Sequence, residues 1–216
     1  MAGKRTADFF DSYAHDFSAI YGTSNSLKNR IINGLFRKSM MIRYRRTLAG
    51  CDPVEGKSVI DIGCGPGHYG IALAKKGVKH VLGLDFAPAM IGLARDNARA
   101  AGVEAICEFV CDDFISRSFE GKFDYSVLMG FMDYIADPGA VIRKALSVTA
   151  ARAFFSFPAD GGFLAWQRKL RYRRRCDLYL YTEDGLHRLF RGAGAADVAI
   201  ERIERDFLVT ATMDRP

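Results

Sequence analysis

Several features that would assign this 216-residue chain to a particular class of protein are missing. No apolar run approaches the roughly 18–20 residues that a membrane-spanning helix requires. The start of the chain, from Met1 to Asp8, has no apolar signal-peptide core. The five cysteines are scattered and form no Cys-x-x-Cys pair, so they predict thiols in a reducing compartment rather than disulfides or a zinc site. We expect a cytoplasmic protein without a metal centre.

Acidic residues are absent between Asp16 and Asp52, where seven lysines and arginines occur. A second basic run spans residues 168–175, and the net charge is +6. Clustered basic residues attract anions, which include RNA, a lipid surface, and a carboxylate or phosphate substrate. Solvated helix faces would give the same pattern, so both interpretations stay open.

The most informative motif lies at residues 59–67, where an apolar strand ends in Asp61 and continues directly into a turn with three glycines, Gly63, Gly65 and Gly67. Glycine takes backbone angles that other residues avoid, and it lets a ligand approach the main chain closely. A helix is expected to follow, and its N-terminal N–H groups would face the same ligand. Such a strand–turn–helix unit holds nucleotide-like cofactors in α/β folds. The same glycines also fit a dinucleotide fingerprint, but the carboxylate of Asp61 would repel a pyrophosphate and suits a cationic ligand.

Predicted strands alternate with predicted helices along the chain, which indicates a mostly parallel sheet with helices on both faces. Two final strands, near 198–203 and 207–212, predict an antiparallel hairpin at one side of the sheet. Helical patterns over 5–20 and 27–50 precede the first strand, and residues such as Met40 and Ile42 mark the apolar side of the second helix. We therefore expect an N-terminal helical lid over 1–50 and a domain over 51–216 with a basic insert at 159–176, all within one structural domain.

The Asp-x-Gly-x-Gly-x-Gly run resembles motif I of the class I S-adenosylmethionine-dependent methyltransferases, and the order of elements is similar to their seven-stranded Rossmann-like fold. The resemblance implies S-adenosylmethionine as cofactor and covers roughly residues 55–212. It implies that the three glycines pack against the aminoacyl part of the cofactor and that Asp61 holds its amino group. Asp85, at the end of the second strand, would accept both ribose hydroxyls. Alternatively, Asp85 is simply an acid at a helix N-terminus, where the helix dipole favours a negative charge.

Further positions match the cofactor cleft of that family. Phe86 and Met90 would line the adenine, although Met90 also fits a core position. Asp112, with Asp113 as its neighbour, would take the adenine amino group. Met129 leaves the fourth strand where the family presents the reactive methyl group.

The N-terminal segment Phe10-Asp11-Ser12-Tyr13-Ala14 resembles the lid of small-molecule members. Tyr13 and Tyr21 would cover the cofactor and the acceptor, or would simply pack the helix onto the sheet. Methyl transfer requires a general base only for a poorly ionised acceptor. The candidates for that role are His15 and Asp133, with Tyr134 as a further acceptor contact.

A small molecule is the favoured acceptor, methylated on oxygen or nitrogen and anionic or lipid-like. Arg168, Arg171 and Tyr172 of the insert would cover an acid, a phosphate or a membrane-associated lipid. Residues 178–183 and the 20–22 segment are loosely similar to magnesium-protoporphyrin methyltransferases, which implies a carboxylate acceptor as one alternative. An RNA methyltransferase that uses the basic clusters is another. A nicotinamide oxidoreductase fits less well, because no tyrosine has a lysine four residues later.

Overall fold

The computed structural model describes residues 27–161, 170, 177–195 and 197–214, with side chains from residue 38 onward. Helices and strands alternate along most of this part of the chain. The helices are α1 (Leu27–Gly50), α2 (His68–Lys75), α3 (Pro88–Ala100), α4 (Pro138–Ser147) and α5 (Glu183–Gly192). The strands are β1 (Ser58–Ile62), β2 (His80–Asp85), β3 (Cys107–Cys111), β4 (Phe123–Leu128), β5 (Thr149–Pro158), β6 (Asp197–Ile203) and β7 (Asp206–Thr212).

The strands form one seven-stranded sheet in the order β3-β2-β1-β4-β5-β7-β6. All neighbours are parallel up to β5, whereas β7 runs antiparallel to both β5 and β6. The predicted mostly parallel Rossmann-like sheet with a C-terminal hairpin is therefore confirmed. The strand order reverses direction between β1 and β4, and a sheet of this kind binds ligands in the crevice at the carboxyl ends of such strands.

Local sequence signals account for the helix ends. The hydroxyl of Thr182 accepts the N–H of Gly185 at 3.2 Å, and the carboxylate of Asp137 accepts the N–H of Ala140 at 3.1 Å. Both contacts satisfy donors that a helix leaves open at its N-terminus. Pro88 occupies the first turn of α3, where no N–H is needed.

Both faces of the sheet are covered. One face packs against α4 and α5 through buried aromatic rings, among them Phe155, Phe157 and Phe190. The other face packs against α1 and α2 and includes Val59, Leu73 and Phe154. No helix in the described part of the chain is long and apolar enough to span a membrane.

Two features differ from the sequence-based predictions. The sequence predicts a strand over residues 152–157 that Pro158 stops, but β5 is longer, because Thr149 pairs with β4 and Pro158 pairs with β7. On α1, the most deeply buried described residues are Ser39 and Thr47 rather than Met40 and Ile42. The reason is that the sheet presents polar groups to this helix: the Ser39 hydroxyl donates to the carboxylate of Asp206 at 2.9 Å.

Candidate functional site

The glycine turn lies at the carboxyl end of β1 and is fixed to the neighbouring strand. The N–H groups of Gly63 and Cys64 both donate to the carbonyl of Leu84, at 2.8 and 3.0 Å. Gly63, Gly65 and Gly67 all have positive φ angles, of 68°, 51° and 81°. The turn therefore requires glycine at each of the three positions.

The three glycines have different surroundings. A Cβ added to Gly63 would lie 2.5 Å from the ring of Phe131, and one added to Gly67 would lie 2.8 Å from the ring of Phe109. A Cβ on Gly65 would meet no described atom within 4 Å. Gly63 and Gly67 thus permit close packing within the protein, whereas Gly65 leaves the main chain open on the side where a ligand can approach.

Asp61 lies behind this turn and is only 2% exposed. One of its carboxylate oxygens accepts the N–H of Gly70 at 3.1 Å. Burial raises the pKa of Asp61 to about 7; the hydrogen bond from Gly70 opposes the increase, and the nearby carboxylate of Asp85 adds to it. A cation at this position would stabilise the ionised form of Asp61, which agrees with the predicted amino-group contact.

Asp85 ends β2 and contacts the same turn. Its two oxygens accept the N–H groups of Gly65 and Ala87, each at 2.9 Å. Burial raises the pKa of Asp85, and these backbone hydrogen bonds limit the increase. Each carboxylate oxygen can accept more than one hydrogen bond. The side chain can therefore still accept the hydroxyls of a ribose.

Asp112 follows β3, beside Asp85: its N–H donates to the Asp85 carbonyl at 3.0 Å. The Asp112 carboxylate pairs with Arg117 at 2.8 Å and accepts the N–H of Asp113 at 2.8 Å. The hydrogen bond from Arg117, together with that from Asp113, lowers the pKa of Asp112. The three strand ends therefore line one edge of the sheet, as the prediction requires. Arg117 is an additional partner that the sequence did not reveal.

The two apolar residues predicted to line the adenine differ in exposure. Phe86 is half-buried at the end of β2, next to Asp85. Met90 is 2% exposed and packs with Ala87 under the start of α3. Met90 therefore occupies a core position, which was the alternative interpretation of this residue.

The chain after β4 bends at Gly130, which has a φ of 73°. The N–H of Gly130 donates to the hydroxyl of Ser156 at 2.8 Å. The side chain of Met129 is 8% exposed, and its sulfur lies 3.9 Å from the hydroxyl of Thr47 on α1. The side chain of Met129 therefore faces α1.

Asp133 and Tyr134 lie in a short 3₁₀ helix, Met132–Tyr134, that the sequence analysis did not predict. Asp133 is 5% exposed and Tyr134 is half-buried. The N–H of Tyr179 donates to the carbonyl of Asp133 at 2.9 Å, and the Tyr181 hydroxyl donates to the carbonyl of Met132 at 3.2 Å. This turn is therefore fixed by the chain that follows the basic insert.

The base of the insert is closed by backbone contacts. The N–H of Asp160 donates to the carbonyl of Tyr181 at 2.7 Å, and the N–H of Tyr181 donates to the carbonyl of Pro158 at 2.9 Å. Both ends of the insert thus lie beside the turn after β4. The predicted insert and lid residues lie outside the described residues: Tyr13, His15, Tyr21, Arg168, Arg171 and Tyr172.

Sequence analysis did not single out Arg43, which is one of the seven basic residues between Asp16 and Asp52. The structure places the Arg43 guanidinium inside the fold, where one nitrogen donates to the hydroxyl of Ser156 at 3.1 Å. Ser39, Arg43 and Thr47 are spaced four residues apart, so they lie on one face of α1. That polar spacing is the signal that could have identified the buried face.

Comparison with protein families shows that residues 53–157 match the model of a methyltransferase domain. The curated ubiquinone biosynthesis O-methyltransferase of Methylococcus capsulatus is 29% identical over 105 residues, which are 48% of this chain and 44% of that protein. The ribosomal protein L11 methyltransferase of Xanthomonas axonopodis pv. citri is 37% identical over 67 residues, 31% of this chain and 22% of that protein. The chain thus spans less than half the length of these relatives.

Among solved structures, the magnesium protoporphyrin IX methyltransferase of Synechocystis PCC 6803 with bound SAH is similar over almost the whole chain. The two superpose with a TM-score of 0.78, and the alignment covers 97% of this chain and 98% of that one at 20% sequence identity. At that identity the likeness establishes a common fold.

Proposed function

We propose that this chain, of which residues 53–157 match the model of a methyltransferase domain, is a class I S-adenosylmethionine-dependent methyltransferase that transfers a methyl group to a small anionic acceptor. The observation that carries the proposal is the open main chain of Gly65 beside the carboxylates of Asp61 and Asp85. The pKa of the Asp61 carboxyl is raised to about 7, and the Asp85 carboxylate already orders the turn. Two such carboxylates suit a ligand that has both an ammonium group and a ribose.

The protein's own part in the reaction is to bind and orient. When bound, S-adenosylmethionine supplies a methyl group on a sulfonium that is already activated. Most of the remaining rate enhancement therefore comes from the placement of the acceptor. Asp61 takes the ammonium group, Asp85 accepts the ribose hydroxyls, and Asp112 with Asp113 takes the adenine edge. Gly130 leaves room at the end of β4 for the acceptor.

Other roles follow from sequence position. Tyr13 and Tyr21 act as a lid that excludes water. A general base, where the acceptor requires one, is His15 or Asp133, and Tyr134 contacts the acceptor. The buried position of Asp133 beside the turn after β4 supports its placement near the acceptor.

The acceptor is a small acid, methylated on oxygen or nitrogen. Arg168, Arg171 and Tyr172 would cover it from the insert, whose described ends lie beside the turn after β4. Methylation of a carboxylate, as on a porphyrin-type acid, is the second candidate; the likeness in fold to a magnesium protoporphyrin IX methyltransferase supports it. An RNA acceptor would instead use the basic clusters and bind less tightly as salt increases.

The test is transfer of radiolabelled methyl from S-adenosylmethionine into a cell extract, which is then separated into RNA, protein, lipid and small-molecule fractions. We expect the label among small molecules or lipids, and none with Asp85→Ala. Asp96→Ala is the matched control, because Asp96 is exposed on α3 and pairs only with Arg99 among the contacts described. Label in the RNA or protein fraction would contradict the proposed acceptor, and no label in any fraction would contradict methyl transfer.

A further inference from the structure

Lys144 lies on α4 and contacts the loop that joins β3 to β4. Its ammonium group donates to the backbone carbonyls of Ile115 and Arg117, each at 2.6 Å. The ammonium group also lies over the rings of Phe114 and Phe119, at 5.3 and 5.5 Å from their centroids. A cation over aromatic rings is attracted to them in addition to its hydrogen bonds. Lys144 therefore fixes the backbone of this loop at two points.

The stretch that Lys144 holds is a single hydrogen-bonded turn. The N–H of Arg117 donates to the carbonyl of Asp113 at 3.1 Å, and the carboxylate of Asp113 accepts the N–H of Ile115 at 3.3 Å. The last carbonyls of a helical turn have no partner within the turn, and a lysine side chain can satisfy them. Because Lys144 comes from α4, it joins this turn to a helix that packs on the sheet.

The side chain of Arg117 extends this set of contacts to the end of β3. Its guanidinium pairs with the carboxylate of Asp112 at 2.8 Å and lies 5.9 Å from the ring centroid of Phe119. The N–H of Asp112 in turn donates to the carbonyl of Asp85 at 3.0 Å. A continuous path of contacts thus leads from Lys144 through Arg117 to Asp112 at the crevice.

The charge of Lys144 serves these carbonyls rather than a carboxylate partner. None of the ion pairs among the described residues includes Lys144. Hydrogen bonds from Arg117 and Asp113 lower the pKa of Asp112, and the charge of Lys144 adds to that effect. Asp112 is therefore ionised at neutral pH, and an ionised carboxylate only accepts hydrogen bonds.

The position of such a carboxylate decides which base it accepts. The 6-amino group of adenine donates a hydrogen bond, whereas the 6-oxo group of hypoxanthine is an acceptor and would face another acceptor. Hypoxanthine carries a hydrogen on N1 instead, which a carboxylate that is free to shift can accept. Selectivity for adenine therefore requires that Asp112 is held in place.

We propose that Lys144 is a positioning residue that acts through Arg117 to hold Asp112 against the 6-amino group of the cofactor's adenine. This inference rests on the proposed function, and it extends that function by assigning the base selectivity to a residue of α4. The contacts of the ammonium group with both carbonyls carry it.

The test compares wild type with Lys144→Met, Lys144→Arg and Arg152→Met. Arg152 is a matched control for a purely structural cation: it donates to the carbonyl of Gly50 at 2.7 Å, in the amino-terminal half of β5. Calorimetry measures the dissociation constants of S-adenosylhomocysteine and of S-inosylhomocysteine, in which hypoxanthine replaces adenine. The ratio of the two constants is the base selectivity. Partial unfolding of a variant weakens both ligands alike and leaves that ratio unchanged.

Lys144→Met is also combined with Asp112→Ala, since a double-mutant cycle shows whether the two residues act together. Thermal melts confirm that each variant is folded. If Lys144→Met does not fold, Lys144→Gln takes its place, because glutamine keeps a donor for one of the two carbonyls.

We expect wild type to bind S-adenosylhomocysteine roughly 10- to 100-fold more tightly than S-inosylhomocysteine. Lys144→Met should lower this selectivity about three- to tenfold, Lys144→Arg should restore most of it, and Arg152→Met should keep it within about twofold. In the Asp112→Ala protein, Lys144→Met should change the selectivity by less than about twofold.

Unchanged selectivity in Lys144→Met would overturn the inference. So would an equal loss in Arg152→Met, or an equal effect of Lys144→Met with and without Asp112. Wild type that binds S-adenosylhomocysteine without preferring it to S-inosylhomocysteine would overturn this inference and leave methyl transfer standing. Wild type that binds neither ligand would remove the proposed function as well.

Discussion

The carboxylate of Asp85 accepts the backbone N–H of Gly65 at 2.9 Å and thereby joins the end of β2 to the glycine turn after β1. Its other oxygen accepts the N–H of Ala87 at the start of α3. A single side chain therefore holds the turn in shape and presents lone pairs to the crevice. Substitutions at Asp85 should act on the ligand both directly and through the turn.

Asp85→Ala should lower the affinity for S-adenosylhomocysteine by more than roughly 100-fold, because two hydrogen bonds to a charged acceptor and the support of the turn are lost together. Asp85→Asn keeps one acceptor oxygen and should lose less. Calorimetry with Asp96→Ala as control checks both values. Unchanged affinity in Asp85→Ala would rule out the ribose contact.

Gly65→Ala should weaken cofactor binding far more than it weakens the fold. The φ of 51° costs an alanine about 1–2 kcal/mol, and the added Cβ would occupy the open side of the turn. Gly56→Ala is the control, since Gly56 has a φ of 70° and equally empty surroundings but precedes β1 at the opposite end of the strand. Both variants should lose similar stability in denaturant, and only Gly65→Ala should lose affinity. Equal affinities for the two variants would show that no ligand approaches Gly65.

The stability of the fold should depend on pH through Asp61. Burial raises the pKa of this carboxyl to about 7, whereas in the unfolded chain it is about 3.9. The folded state therefore binds an extra proton between these values, and stability falls as pH rises from about 4 to about 7, by on the order of 2–4 kcal/mol. Above that range the loss is complete.

Urea unfolding of wild type and Asp61→Asn near pH 5 and pH 8 checks this expectation. Asparagine keeps an oxygen for the Gly70 N–H but cannot ionise, so the variant should lack this part of the pH dependence. The affinity of wild type for S-adenosylhomocysteine should also increase as pH rises towards about 7, because the ammonium group of the ligand favours ionised Asp61. The affinity of the variant should increase less over the same range. The same pH dependence in both proteins would contradict the burial argument.

Asp206→Ala should destabilise the fold by about 3–5 kcal/mol, because it leaves the buried charge of Arg43 with less compensation and removes the acceptor of Ser39. Ser39→Ala should cost about 1 kcal/mol. Glu201→Ala, which breaks an exposed pair with Arg46, should cost less than about 1 kcal/mol. Free energies from urea unfolding give the comparison, and an Asp206→Ala value no larger than that of Glu201→Ala would show that Arg43 does not depend on Asp206.

The sheet was largely predictable from sequence because each strand carries its own signal. Buried parallel strands such as β1 appear as continuous apolar runs, and the glycine turn and Thr182 mark element ends locally. Asp61, Asp85 and Asp112 could be placed together because each lies at or directly after the carboxyl end of a strand in the same parallel sheet. Family motifs at fixed spacing then supplied their roles.

Arg43 was not predictable, since hydrophobic periodicity assigns charged residues to solvent. Its burial depends on Ser156 and Asp206, which are more than 100 residues away in sequence and belong to other strands. The 3₁₀ helix at Met132–Tyr134 is likewise held by hydrogen bonds from Tyr179 and Tyr181, which lie beyond the basic insert. Local patterns carry no information on such contacts.

The backbone contacts of Asp160, Tyr179 and Tyr181 close the base of the insert onto the sheet. Because the ends are joined there, the residues between Gly161 and Asp177 can be exchanged without altering the strand pairing that supports the crevice. If the insert covers the acceptor, as the proposed function has it, acceptor choice can change in this stretch separately from folding and cofactor binding. The same arrangement makes the stretch a natural place to graft a segment from a relative when a new acceptor is wanted.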